Sequence, residues 1–259
     1  MNRIDYLFQT KKERVLSIYV TAGFPNLEDT LPVMEAIQAA GADIIELGIP
    51  YSDPIADGPT IQESNTRALE NGMSIKTLFS QLVGFRSKIH VPVILMGYLN
   101  PIIQFGVEEF CKKCKEVGID GLILPDLPVS QYLEEYKTLF DEYGLYISFL
   151  ISPQTSEKRI REVDENSSGF IYMVSSHAIT GAKAGISKEQ EDYFKRVAGM
   201  NLNHPRLIGF GISDATTFQL ASRYSHGAII GSAFIKHISN STALKQDIQT
   251  FIQGVLAKE

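Results

Sequence analysis

The amino-acid sequence predicts an α/β protein, a (β/α)8 TIM barrel formed as a single domain by residues 1–259, with a short extra helix at its N-terminus. Eight short apolar runs are each followed by a helical pattern, at a spacing of roughly 25 to 35 residues that is typical of this barrel. The length of 259 residues suits one barrel, and no Ser/Gly-rich linker or shift in composition marks a second domain.

The first half of the chain supplies the leading helix and four strand–helix units. The leading helix is expected at residues 2–11, with Ile4, Leu7 and Phe8 on one side. Strands are predicted at residues 16–20, 44–47, 93–96 and 121–124. The helices that follow them are predicted at residues 27–40, 61–71 with 74–88, 107–117, and up to about residue 143.

The second half repeats the same unit four more times. Strands are predicted at residues 146–151, 170–174, 206–210 and 227–230. Helices are predicted at residues 156–165, 188–197, 214–224, in a short segment from Ser232, and at residues 243–255. Residues 175–187 contain Gly181 and Gly185 but no apolar periodicity, so we expect a long, mobile loop there.

The main competing architecture is a doubly wound open sheet. Such a sheet usually has fewer strands, and a nucleotide-binding one carries the spacing G-x-G-x-x-G after its first strand. Here the first strand is followed by T-A-G-F-P at residues 21–25, which lacks that spacing. The barrel is therefore favoured.

Charge and hydropathy exclude several classes of partner. The chain has 24 Lys and Arg residues against 30 Asp and Glu residues, a formal net charge of −6 and a pI of about 5.5. No basic surface for nucleic acid or an anionic membrane is expected from this balance. The N-terminus lacks the apolar segment of a signal peptide, and no apolar run approaches the ~20 residues of a membrane span. We expect a soluble, cytoplasmic protein.

The cysteines and histidines do not predict a metal site. Cys111 and Cys114 have the C-x-x-C spacing of redox and zinc sites, but no second Cys or His pair lies near them in the sequence. Both cysteines fall within the predicted helix 107–117, so we interpret them as ordinary helix positions. The histidines show no paired spacing, and no metal is expected.

An acidic, proline-rich stretch at residues 46–59 (E-L-G-I-P-Y-S-D-P-I-A-D-G-P) is the strongest candidate for chemistry. Its three prolines stiffen the loop that follows a buried strand. Glu46, at a barrel mouth and partly dehydrated, would have its pKa raised into the range where it can donate and accept a proton, while Asp57 could stay ionised. The alternatives are that Glu46 pairs with a cation, Asp57 caps the next helix, and Asp53 only braces the turn.

Two glycine-bearing turns predict a phosphate site. Residues 209–213 (G-F-G-I-S) end one predicted strand, and Gly231 with Ser232 ends the next at a helix N-terminus. Bare backbone N–H groups and a helix dipole suit a phosphate dianion, and these two loops are the usual phosphate cradle of a TIM barrel. Thr180 and Gly181 could add a contact from above. The alternative is that the glycines serve only the tight turns.

Taken together, the stretch E-L-G-I-P-Y-S-D-P-I-A-D-G-P-T-I-Q, the motifs G-F-G-I-S and G-S-A, and the Thr-Gly pair resemble the α subunits of tryptophan synthase over nearly the whole chain. The resemblance implies a (β/α)8 barrel that cleaves indole-3-glycerol phosphate to indole and glyceraldehyde 3-phosphate. It also implies a β subunit as partner in an αββα complex. Pyridoxal phosphate is expected only in that partner, and no cofactor in this chain.

The same resemblance implies roles for individual residues. Glu46 is implied as the general acid and base, Asp57 as the group that holds the indole N–H, and Tyr172 as a residue near the substrate. Thr180 belongs to a loop that closes over the site in this family. Positions similar to the family's indole pocket, each also a plausible core side chain, are Tyr19, Ile61, Met96, Ile123, Leu150, Phe210 and Ile229.

Two features depart from the family's pattern. The loop at residues 175–181 (S-S-H-A-I-T-G) differs from that of many relatives, including at Ala178, where they carry Gly nearby. This leaves the Thr-Gly pair in place but puts the flexibility of the loop in doubt, and His177 is interpreted mainly as a solvated loop residue. Tyr51 stands where the family often has Phe.

Two other functions remain open. A different phosphate-binding barrel enzyme would share the glycine turns but lack the pair of acids in the proline-rich loop. A non-catalytic subunit that activates a partner would be expected to have lost Glu46 or Asp57, and both are present. Incubation of the purified protein with indole-3-glycerol phosphate, with and without a β subunit, distinguishes these functions.

Overall fold

The computed structural model describes residues 1–175, 187–209 and 211–257. Its strands are β1 Val15–Thr21, β2 Ile44–Gly48, β3 Val93–Met96, β4 Gly121–Ile123, β5 Tyr146–Ile147, β6 Leu150–Ile151, β7 Ile171–Val174, β8 Arg206–Gly209 and β9 Gly227–Ile230. Its α-helices are α1 Arg3–Thr10, α2 Thr30–Ala39, α3 Pro59–Glu70, α4 Ile75–Gln81, α5 Leu99–Phe105, α6 Val107–Val117, α7 Val129–Gln131, α8 Lys137–Tyr143, α9 Glu157–Asn166, α10 Lys188–Ala198, α11 Ala215–Tyr224, α12 Ser232–Ile238 and α13 Leu244–Leu256.

All nine strands are parallel and form one curled sheet in the order β5-β4-β3-β2-β1-β9-β8-β7-β6. The two strands at the ends of this order, β5 and β6, are consecutive in the chain and separated only by Ser148 and Phe149. The Ser148 N–H donates to the Leu122 carbonyl at 3.1 Å, and the Tyr172 N–H donates to the Phe149 carbonyl at 2.9 Å. Residues 146–151 are thus bonded to both ends of the sheet, which gives a TIM-barrel-like α/β fold.

The apolar side chains form two layers, as the alternation along the strands requires. One cluster fills the interior of the curled sheet; its buried members on the strands are Val15, Ile44, Ile94, Ile123, Tyr172, Leu207 and Ile229. A larger cluster joins the outer face of the sheet to the surrounding helices. Ile4 and Phe8 of α1 belong to the interior cluster, so α1 closes the end of the sheet where the strands begin. The end of the sheet where the strands finish is not covered by α1, and this is the end at which TIM barrels carry their active sites.

Most elements lie within a few residues of their predicted bounds, and α6 matches its prediction. The predicted helix 74–88 is wrong in its second half. Gly84 has φ +74°, a left-handed conformation that interrupts the helix, and a 3-10 turn at Phe85–Ser87 follows. Helix α5 was not predicted. Its N-terminus is fixed by the carboxylate of Asp126, which accepts the Leu99 N–H at 3.0 Å.

The cysteines lie within helix α6, as predicted, and both are buried there. Both thiols are free, and burial raises the pKa of Cys111 to about 12, so this thiol stays protonated at neutral pH. Within residues 1–175, 187–209 and 211–257, no three His, Cys, Asp or Glu side chains cluster as a metal site. Over the same ranges, no helix has both the length and the apolar character needed to cross a membrane. The predicted mobile loop 175–187 lies almost wholly outside the described residues.

Candidate active site

The candidate site lies in the end of the curled sheet opposite α1. In the register of the parallel strands, Tyr19 of β1 lies opposite Glu46 of β2, which in turn lies opposite Ile94 of β3. On the other side of β1, Ile18 lies opposite Ile230, so Gly231 follows next to Tyr19. Side chains at matched register point to the same face of a sheet. The register therefore gathers Tyr19, Glu46 and the turn at Gly231 on the inner face.

Glu46 is fully buried and half satisfied. Its Oε1 accepts a hydrogen bond of 2.7 Å from the Ser17 hydroxyl, and its Oε2 has no hydrogen-bond partner among the described residues. Burial raises the pKa of Glu46 to about 8, against the smaller opposing effect of the Ser17 hydrogen bond. Over the described ranges no Lys or Arg pairs with this carboxylate, which excludes the ion-pair alternative there.

Asp57 is nearly buried, with 8% of its surface exposed. The Tyr98 hydroxyl donates to Asp57 Oδ2 at 3.0 Å. Burial raises the pKa of Asp57 to about 6, and the Tyr98 hydrogen bond partly opposes that rise. The alternative that Asp57 caps the next helix is wrong, because the N-cap of α3 is Gly58 and no side chain caps it. Asp57 is thus mostly ionised at neutral pH and held toward the β3 side of the site.

Asp53, by contrast, makes its contacts within the turn. Its side chain is exposed and accepts a hydrogen bond from the neighbouring Ser52 hydroxyl. Its carbonyl accepts the Ile55 N–H at 2.9 Å. These contacts are those of a residue that braces the proline-rich turn, as the alternative interpretation of Asp53 expected.

Two buried tyrosines stand beside the carboxyl groups. Burial raises the pKa of Tyr19 and of Tyr172 well above the usual value for a phenol, and Glu46 and Asp57 raise both further. The strand register places Tyr19 directly beside Glu46, and Tyr172 is a buried member of the cluster inside the curled sheet. The Tyr19 hydroxyl lies 3.3 Å from Thr21 Oγ1.

Glycines make room for both phenols. A Cβ atom at Gly48 would lie 2.2 Å from the Tyr19 hydroxyl oxygen, and one at Gly209 would lie 2.4 Å from that of Tyr172. Both distances are far below van der Waals contact. Gly48 and Gly209 are therefore needed for the observed positions of Tyr19 and Tyr172.

The predicted phosphate turns lie side by side. Leu207 of β8 pairs with Gly227 of β9, and continuing this offset of the register brings the turn at Gly211 level with the turn at Gly231. Gly211 is exposed and has φ +77°, and Gly231 is the N-cap of α12, whose first residue, Ser232, is exposed. The first N–H groups of a helix have no partner within it. The other predicted contacts, Thr180, Gly181 and Phe210, lie outside the described residues.

The apolar residues predicted to line the indole pocket are divided between the buried core and partly exposed positions. Ile123 and Ile229 are buried in the interior cluster, and Met96 and Leu150 are only partly buried against it. Ile61, on α3, is 7% exposed and belongs to the outer cluster. Met96 and Leu150 therefore fit both interpretations, as core side chains and as pocket side chains, because each packs against the core and is also partly exposed.

Two polar contributors were not assigned a role from the sequence. Ser17 lies on β1 two residues before Tyr19 and therefore shares the inner face with it, a spacing of two that could have revealed it. Tyr98 follows the strand predicted at residues 93–96, and nothing in the sequence connects it with Asp57. Its partner lies 41 residues away in the sequence, and no local pattern reports such a pairing.

A TIM-barrel-like fold with a buried, half-satisfied glutamate on one strand and a second buried carboxylate on the loop after it defines an acid–base enzyme of the α/β-barrel class. The chain belongs to the tryptophan synthase alpha chain family, whose model matches residues 7–257. It is 55% identical to the tryptophan synthase alpha chain of Flavobacterium johnsoniae over 252 residues, covering 97% of this chain and 98% of that protein. It is 54% identical to that of Christiangramia forsetii over 258 residues, covering 99% of each.

Solved structures agree with these relatives. Tryptophan synthase subunit alpha from Legionella pneumophila superposes with a TM-score of 0.89 at 32% identity, over 98% of this chain and 97% of that one. A chain of the tryptophan synthase complex from Pyrococcus furiosus superposes with a TM-score of 0.85 at 34% identity, over 95% of this chain and 99% of that one. The fold and the family assignment are thus supported independently.

Proposed function

We propose that this chain is the subunit that cleaves indole-3-glycerol phosphate to indole and glyceraldehyde 3-phosphate, a step of L-tryptophan biosynthesis. Membership of the tryptophan synthase alpha chain family supports this reaction. The single observation that carries the proposal is the state of Glu46. It is a buried carboxyl group with a pKa of about 8 and one oxygen without a partner among the described residues.

In the proposed mechanism Glu46 acts first as an acid and then as a base. Its proton passes to C3 of the indole ring, which turns the ring into a leaving group. The carboxylate then takes the proton of the hydroxyl group on the adjacent glycerol carbon. The C–C bond breaks, its electron pair returns to the ring, and the aldehyde forms. A pKa of about 8 suits both transfers near neutral pH.

Asp57 stabilises the charge that appears during the reaction. Protonation at C3 leaves a positive charge on the ring nitrogen, and a nearby carboxylate favours that charge. Asp57, with a pKa of about 6 and a hydrogen bond from Tyr98, can supply the carboxylate at neutral pH. We assign to Asp57 the indole N–H and to Tyr172 the orientation of Glu46 or of the glycerol hydroxyl.

The remaining proposed contacts hold the two ends of the substrate. The backbone N–H groups around Gly211, Gly231 and Ser232 bind the phosphate, assisted by the positive end of α12. Thr180 and Gly181 close over it from the loop after β7. Tyr19, Ile61 and Phe210 flank the indole ring.

The proposal includes the setting of this chain. It is one (β/α)8 domain in which residues 146–151 count as one of eight strands and α1 is the extra N-terminal helix. It works in the cytoplasm with a tryptophan synthase β subunit in an αββα complex. The partner holds the pyridoxal phosphate, and the retro-aldol step requires no metal or redox cofactor in this chain. An exposed apolar side chain, Ile55, 85% exposed on the proline-rich loop, supports a protein contact at that loop.

The test is the substitution Glu46→Gln, which keeps the shape and removes the transferable proton. We expect cleavage of indole-3-glycerol phosphate to fall by a factor of about 10² or more, while the affinity for glycerol phosphate stays near that of the wild type. Glu70→Gln, the same change at an exposed position at the end of α3, is the matched control and should leave both unchanged. Cleavage by Glu46→Gln at the wild-type rate would refute the proposed function of Glu46.

A further inference from the structure

A buried serine lies directly against the proposed acid–base group. Ser17 is in β1, is fully buried, and precedes Tyr19 by two residues, so both side chains lie on the inner face. In the strand register Ser17 lies opposite Ile44, and Tyr19 lies opposite Glu46. Ser17 is therefore one step closer to the α1 end of the cavity than Glu46, and its hydroxyl reaches Oε1 at 2.7 Å.

This contact makes the two oxygens of Glu46 unequal. Oε1 accepts the Ser17 hydroxyl, whereas Oε2 is buried with no hydrogen-bond partner in the described parts of the chain. A protonated carboxyl group has one carbonyl oxygen, which accepts, and one hydroxyl oxygen, which donates. Since Oε1 already accepts, the proton belongs on Oε2, the oxygen left without a described partner.

We infer that Ser17 is a positioning residue for the proposed cleavage: it holds Oε1 of Glu46, so that Oε2 carries the proton exchanged with the substrate. Ser17 does not touch the reacting atoms and acts only through Glu46. The inference rests on the proposed function, and it adds to that function the identity of the working oxygen and the group that selects it.

The other groups around Glu46 do not replace Ser17. Three other titratable groups face this part of the site. Glu46 raises the pKa of Tyr19 on β1 and of Tyr172 on β7, and Asp57, on the loop after β2, raises the pKa of the same two phenols. The two phenols stay neutral near pH 7 because burial raises their pKa, and Asp57 brings a charge of the same sign. On β3, the residue opposite Glu46 is the apolar Ile94. Among the described residues, Ser17 is thus the one donor to this carboxylate.

A pair of nearly isosteric substitutions isolates the hydroxyl. Ser17→Thr keeps it and Ser17→Val replaces it with a methyl group, and both add the same branch to a strand position that accepts branched side chains. With the full-length chain and indole-3-glycerol phosphate, we expect Ser17→Val to lower kcat about tenfold relative to Ser17→Thr, with KM changed little. The part of the pH–rate profile that reflects the ionisation of Glu46 should move to higher pH in Ser17→Val, because the Ser17 hydrogen bond lowers the pKa of Glu46. It should stay in place in Ser17→Thr.

Equal kcat and equal pH–rate profiles for the two variants would overturn the inference. Glu46→Gln, measured in parallel, separates this failure from that of the proposed function. An inactive Glu46→Gln with indistinguishable Thr and Val variants refutes the role of Ser17 alone, whereas an active Glu46→Gln refutes the proposed reaction.

A second measurement covers the case in which the added branch prevents folding. Ser17→Ala cannot overpack the cavity, and the carboxyl carbon of Glu46 can be followed by NMR titration, its signal identified by its loss in Glu46→Gln. The titration midpoint of Glu46 should rise in Ser17→Ala by about 0.5 units or more, because a donor to the ionised form is lost. An unchanged midpoint would overturn the inference.

Discussion

The hydroxyl of Tyr98 donates to Oδ2 of Asp57 at 3.0 Å, and the Tyr98 hydroxyl oxygen itself accepts the backbone N–H of Ala56 at 3.0 Å. Tyr98 follows β3 and is the N-cap of α5, whereas Ala56 and Asp57 belong to the proline-rich loop after β2. One phenol therefore fixes both the carboxylate and the backbone that carries it. The stiffness expected from the prolines is reinforced by a contact from the neighbouring strand.

Replacing Tyr98 tests this contact. Tyr98→Phe keeps the ring and removes both hydrogen bonds, so the pKa of Asp57 should rise further and its carboxylate should be less well placed. We expect kcat/KM for indole-3-glycerol phosphate to fall about tenfold, which corresponds to about 1.4 kcal/mol. Steady-state kinetics check it, with Tyr6→Phe, an exposed tyrosine of α1, as the matched control. Equal kinetics for the two variants would contradict a role for the Tyr98 hydroxyl.

Gly209→Ala should displace Tyr172 without touching the acids. The new Cβ would lie 2.4 Å from the Tyr172 hydroxyl and 2.6 Å from two of its ring carbons, so the buried ring must move. We expect a loss of stability of about 1–3 kcal/mol, as for other overpacked sites, together with a lower kcat. Urea unfolding and kinetics measure the two effects.

The control for that substitution is Gly254→Ala, in α13, where an added Cβ meets nothing within 4 Å. Alanine is favoured over glycine in a helix, so this variant should gain about 0.5–1 kcal/mol of stability and keep wild-type turnover. If Gly209→Ala behaved as Gly254→Ala does, the close packing of Tyr172 on Gly209 would be refuted.

The burial of Glu46 predicts how stability depends on pH. The folded chain keeps the Glu46 proton up to a pH of about 8, whereas the ordinary value for the side chain is 4.5. Between these values the folded state binds more protons than the unfolded state, so this group's contribution to the free energy of unfolding falls as pH rises. Glu46→Gln removes this contribution of Glu46. The free energy of unfolding of the variant should therefore fall less steeply than that of the wild type between about pH 5 and about pH 9. Urea unfolding at both ends of this range checks it; parallel curves for the two proteins would show that Glu46 titrates normally.

The proposed phosphate turn is tested at Gly211. Its φ of +77° disfavours any branched side chain, and its exposure places an added side chain where the phosphate is proposed to bind. Gly211→Val should raise KM for indole-3-glycerol phosphate and weaken the binding of glycerol phosphate about tenfold or more, with kcat affected less. Calorimetric titration with glycerol phosphate measures this. Unaltered affinity would remove the turn from the site.

Two elements of the structure were not predicted correctly from local sequence patterns. Helix α5 was not predicted; its sequence L-N-P-I-I-Q-F carries Pro101, which breaks a helix in its interior but is acceptable in the first turn, where it lies here. The strand predicted at residues 146–151 is split into β5 and β6, because its first half pairs with β4 and its second half with β7. Neither outcome depends on the residues of the segment alone.

The alternation of apolar residues and the helical patterns were by themselves sufficient to predict a barrel-like α/β fold. The types and spacing of the residues at the strand ends also singled out Glu46, Asp57 and the two glycine turns as candidates. Only the tertiary structure decided what each carboxylate touches: Ser17 meets Glu46 across 29 residues of sequence, and Tyr98 meets Asp57 across 41. The physical reason is that periodicity records which face of a strand is buried, whereas partners and pKa values depend on the register between strands and on the water that packing excludes.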